Sequence, residues 1–108
     1  MSGLREERNE WLLVFYLSTG HKLLGVEAIT QDCPTRVEWD FRHLLRRALL
    51  IRADAMIIAH NHPSGDVTAS RSDMITTAQF ARVCQELGIP LLAHYIVTEN
   101  ETGLCGYW

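Results

Sequence analysis

The sequence predicts an α/β (α+β) domain: one central mixed β-sheet with two main helices. Three observations carry that reading. Residues 11–17, 54–59 and 91–98 are apolar runs of strand length, rich in branched and aromatic side chains. Residues 36–53 and 70–87 have helical periodicity. Strand-like and helix-like segments alternate along the 108 residues without a repeat or a low-complexity tract, as in a mixed sheet packed by helices.

Taken in order, residues 1–10 are polar and form an N-terminal lead-in, and residues 11–108 form the domain. The strands at 11–17 and 22–30 are separated by Ser18-Thr19-Gly20-His21, which reads as the turn of a hairpin. Pro34 breaks the pattern before the first helix. In that helix Trp39, Leu44, Leu45, Ala48, Leu49 and Ile51 share an apolar side, with Arg42, Arg46 and Arg47 mostly off it. The run at 54–59 reads as a buried central strand leading straight into His60. Residues 62–69 have loop chemistry. The second helix is closed by Gly88 and Pro90. The fourth strand covers 91–98, a turn follows at 99–103, and 104–108 form a last short strand.

Composition narrows the function classes. An apolar fraction of 47% and a charged fraction of 21% are those of an ordinary globular chain. The formal net charge of -3 does not support nucleic acid as a partner of this domain alone. Cys33, Cys84 and Cys105 are odd in number and form no CxxC pair, which excludes a cysteine zinc ribbon and suits a reducing, cytoplasmic compartment. Residues 1–10 contain no apolar stretch of a secretory signal, and no run reaches the roughly 20 residues that span a bilayer. No membrane association is expected, and the oligomeric state is open.

The chemistry concentrates in His60-Asn61-His62-Pro63-Ser64-Gly65, followed by Ser70 and Asp73. In extended backbone, side chains two apart point to the same side, so His60 and His62 converge while Asn61 points away. Pro63 holds His62 in the extended region. Asp73, in the first turn of the next helix, is the natural third ligand. Two imidazoles and one carboxylate suit zinc, one ion per chain, with the fourth position left to a water whose pKa falls toward ~7. Glu27, in the apolar stretch Leu23-Leu24-Gly25-Val26-Glu27-Ala28-Ile29, is the candidate proton acceptor, and Ser70 a candidate donor to an oxyanion.

His60-x-His62-Pro63 followed by Ser70-x-x-Asp73 resembles the JAMM motif of the JAB/MPN metalloproteases, and the longer string from His60 to Asp66 resembles the RadC-like branch. The similarity runs from about Trp11 to Val97. It implies a single MPN/JAB-like domain in a cytidine-deaminase-like three-layer arrangement. It also implies zinc held by His60, His62 and Asp73, Glu27 as the upstream catalytic glutamate, and Ser70 as the motif serine. The implied activity is hydrolysis of a peptide, amide or isopeptide bond in a peptide or protein substrate. Two positions depart from the RadC-like pattern, Ala69 where proline is common and Ala93 where aspartate is common.

Plainer readings compete with these. Ser70-x-x-Asp73 is also the pattern of a helix N-cap. Asp66 reads as a turn residue, His94 as a core histidine or one supporting a ligand, and His21 and His43 as surface residues. The consecutive letters His60-Asn61-His62 are not the HNH nuclease signature, whose residues lie on separate elements. The rival function is a non-catalytic MPN-type binding module, DNA-repair-associated if the RadC resemblance extends to biological role.

Overall fold

A computed structural model describes residues 10–31, 40–62, 68–69 and 71–107. Its elements are β1 (Glu10–Leu17), β2 (Leu23–Gln31), α1 (Phe41–Leu50), β3 (Ala55–Asn61), α2 (Arg71–Glu86), β4 (Leu91–Val97) and β5 (Thr102–Tyr107). The five strands form one mixed sheet in the order β2-β1-β3-β4-β5, with β3 and β4 parallel and the other neighbours antiparallel.

The β1–β2 hairpin closes where the sequence places its turn. Gly20 and His21 take positive φ (83° and 62°), and Ser18 N–H donates to Lys22 O at 2.7 Å. β3 runs further than the apolar stretch alone indicates, through His60 and Asn61. His60 is therefore a strand residue with fixed neighbours on both sides.

One sheet face carries the core. Leu12 and Val14 of β1, Met56 and Ile58 of β3, Leu44 and Ala48 of α1, and Cys84 of α2 are all fully buried. Phe41 of α1 stacks on Phe80 of α2 with ring centroids 4.2 Å apart, so both helices share that face. Among the described residues both helices therefore lie on this one face of the sheet. The reason is topological. The chain crosses from β2 over β1 to β3, then from β3 to β4, moving the same way each time, and right-handed crossovers in one direction put both helices on one side. On the opposite face Leu13, Phe15 and Ile57 are half-buried, while Val26, Tyr95 and Leu104 are exposed. No helix among the described residues is long and apolar enough to cross a membrane.

Both helices end in the same hydrogen-bond motif. In α2, Gly88 N–H donates to Gln85 O and Ile89 N–H to Cys84 O, with Gly88 at φ 78°. In α1, Arg52 N–H donates to Leu49 O and Ala53 N–H to Ala48 O, with Arg52 at φ 60°. Glycine ends α2 without strain, but α1 forces a side-chain-bearing residue into the left-handed region. At its start, Asp40 caps α1 through its carboxylate to His43 N–H, one turn inside the expected helix, whose residues 36–39 lie outside the described ones. Arg52→Gly is expected to raise stability by about 0.5–1 kcal/mol, the relief of left-handed strain less the extra chain entropy of glycine. A urea titration followed by far-UV circular dichroism measures it, with the midpoint moving up at constant slope.

Candidate metal centre

Strand geometry and helix phase bring three ligand groups together. His60 ends the buried run of β3, and its side chain is 1% exposed. His62, one strand period on, keeps β3's pairing going through His62 N–H to Val97 O at 3.0 Å. Asp73 stands in the first turn of α2. Nε2 of His60 lies 2.9 Å from Nε2 of His62, which lies 3.2 Å from Asp73 Oδ2, and His60 Nε2 is 3.7 Å from the same oxygen. Ligand atoms at about 2.0–2.1 Å from a tetrahedral zinc stand roughly 3.3 Å apart. The three measured edges bracket that value. His60, His62 and Asp73 form the group that could hold a metal ion among the described residues, and its donor set of two imidazoles and one carboxylate fits zinc. The sequence expected these three residues, and the fold places them together.

His60 is anchored from behind. Its Nδ1 lies 2.6 Å from Nε2 of His94, whose Nδ1 lies 2.8 Å from Thr77 Oγ1. His94 is a buried β4 residue with both ring nitrogens engaged, within the range of readings its apolar neighbours allowed. Burial, reinforced by His60, drives its pKa down to about 3, so it is neutral at physiological pH. Thr77, one helical turn after Asp73, had no sequence signal of its own.

Glu27 is not brought to this group. It pairs with Val14, which pairs with Ile58, two strands across and two pairs along from His60. By strand spacing that is roughly 12 Å at the backbone. There Glu27 ties α1 to the hairpin: Tyr16 Oη donates to Oε1 at 2.9 Å, His43 Nε2 donates to Oε2 at 2.7 Å, and Arg47 Nη2 lies 3.8 Å from Oε2. Burial alone raises its pKa, but the bonds from His43 and Tyr16, with the charges of His43 and Arg47, together hold it below the ordinary 4.5. Tyr16 is pushed up correspondingly, by burial first and then by that carboxylate. His43, read as a surface residue, is thus a hydrogen-bond partner of Glu27. Ser70 and Asp66 lie outside the described residues.

The carboxylate that does face the centre is Glu10. β1 pairs with β3 as Leu12 to His60, so the next inward residue, Glu10, reaches the level of His62. Asn61 Oδ1 accepts from Trp11 N–H at 2.7 Å and clamps β1 beside that position. Burial raises the Glu10 carboxyl above its ordinary value. The fields of His60 and His62 oppose the rise and that of Asp73 adds to it. Its signal was parity: Glu10 continues the row Leu12, Val14, Tyr16, although it was assigned to the lead-in.

The RadC-like JAB domain family model matches residues 1–105. The chain belongs to the RadC-like JAB domain family. The mixed sheet with two helices is consistent with a JAB-like fold, and JAB domains often bind zinc, which this RadC-like domain's His60–His62–Asp73 group fits. Wild-type protein loaded with zinc is expected to retain about one ion per chain after dialysis, and His62→Ala and Asp73→Asn close to none, measured by inductively coupled plasma mass spectrometry. Glu27→Gln is expected to leave that stoichiometry unchanged and to cost about 1–3 kcal/mol of stability at pH 7. Since the folded pKa of Glu27 is depressed, its contribution is full above 4.5 and fades as pH falls through the folded value. The difference between the two proteins in thermal melts should therefore shrink toward acid.

Proposed function

We propose that this RadC-like JAB domain is a zinc-dependent hydrolase of peptide, amide or isopeptide bonds, with Glu10 as its proton carrier. The observation that carries the reading is a half-buried carboxyl that the β1–β3 register brings level with His62, beside the three-ligand group. Zinc, when bound there, supplies Lewis acidity, lowering the pKa of a coordinated water toward ~7 and polarising the substrate carbonyl. His60, His62 and Asp73 hold that ion. Glu10 accepts a proton from the attacking water as the carbon–oxygen bond forms. It then delivers that proton to the leaving nitrogen as the carbon–nitrogen bond breaks, so the carboxylate is regenerated in each turnover. Ser70, the motif serine by resemblance, is assigned as oxyanion donor. The substrate is a peptide or protein chain.

A panel of peptide and lysine-ε-amide isopeptide substrates tests the assignment. Glu10→Gln is expected to keep its zinc and lose about 10²–10⁴-fold in kcat. Glu27→Gln should stay near wild-type rate once its lower stability is allowed for. Full activity in Glu10→Gln with loss in Glu27→Gln would return the role to Glu27. No turnover by zinc-loaded wild-type protein across the panel would favour the binding-module reading.

A further inference from the structure

The row of groups behind His60 has a direction, and only one direction serves a metal ligand. His60 Nε2 faces His62 and Asp73, and its Nδ1 faces His94 Nε2 at 2.6 Å. A neutral imidazole carries one N–H. If Nε2 is to offer a lone pair to an ion, the proton sits on Nδ1 and His94 Nε2 must accept it. His94 then carries its own proton on Nδ1, and Thr77 Oγ1, 2.8 Å away, accepts that one. The reverse order is equally compatible with the heavy-atom distances: Thr77 donates to His94, and His94 donates to His60. It leaves the His60 proton on Nε2, where it blocks coordination.

We propose that His94, oriented by Thr77, is a positioning residue that holds His60 in its Nδ1–H tautomer and so sets the centre for metal. This rests on the metal-site reading above. Three observations converge. His60, His94 and Thr77 are each at most 2% exposed, so water does not substitute for a lost partner. The bonds come from three elements, β3, β4 and α2, which fixes ring orientation as well as tautomer. Thr77 is also one turn from Asp73 on the same side of α2, so its bond to His94 sets the helix phase that delivers the third ligand. The support is a neutral ring where a carboxylate is a common alternative. It holds His60 without adding negative charge behind the centre, which leaves a bound dication with more of its Lewis acidity.

Zinc affinity by chelator competition tests this on the full chain, together with the tautomer of His60 in metal-free protein by long-range ¹H–¹⁵N correlation spectroscopy. Wild type is expected to show the Nδ1–H form of His60. His94→Leu, which removes the acceptor, should weaken zinc binding about 10- to 100-fold. His94→Gln, which returns an acceptor oxygen, should recover most of the affinity, a rescue that mere filling of space does not produce. Should His94→Leu fail to fold, Thr77→Val takes its place, with an expected mixture of His60 tautomers and a loss of a few-fold. A predominantly Nε2–H His60 in wild type overturns the proposal. So does wild-type affinity in a folded His94→Leu protein. Absence of zinc binding by wild type itself overturns the metal-site reading and this proposal with it, whereas tight wild-type binding that His94→Leu leaves intact overturns this proposal alone.

Discussion

A histidine side chain driven to the end of a buried strand must find partners for both ring nitrogens, and the rest of the centre follows from that requirement at His60. Leaving either nitrogen unmet in the interior costs about 1–3 kcal/mol. On one side the solution is the ligand group with His62 and Asp73. On the other it is His94 with Thr77 behind it. These two solutions draw in β4 and α2 as well as β3. The parallel β3–α2–β4 unit and the chemistry of the site are in this sense one construction, and the site lies where open sheets place their functional groups, beyond the carboxyl end of a central strand.

Much of this was legible in the sequence because the relevant signals are local. The spacing of His60 and His62 follows from the two-residue period of a strand. The place of Asp73 follows from the first turn of a helix, and the end of α2 from a glycine at its C-terminal boundary. The end of α1 was less legible, since Arg52 adopts a glycine conformation without being glycine. There the burial of Ala48 and Ala53 against the core outweighs local preference. That both helices share one face was not legible either, because the side on which a helix packs depends on strand order, and strand order is a non-local property.

The proposed proton carrier shows the same limit most clearly. Glu27 and Glu10 both lie on inward-facing rows, and the sequence favoured the one embedded among apolar residues. Pairing sets where each one stands. Glu27 is spent on Tyr16 and His43, where it fastens α1 to the hairpin, and Glu10 arrives beside the ligands because β1 runs antiparallel to β3 with Leu12 opposite His60. No property of either glutamate's immediate neighbours encodes that difference.

The bond from Trp11 N–H to Asn61 Oδ1 then acquires a meaning beyond the sheet. Asn61 sits between the two histidines yet serves the neighbouring strand, acting as a gauge block that sets how far β1 advances along β3. A slip of one residue would turn Glu10 to the opposite face, since side chains alternate. The placement of the Glu10 carboxylate is thus insured by main-chain registry, and the three consecutive residues of the motif divide the labour: two converge on a shared centre while the middle one meters the distance at which that carboxylate stands.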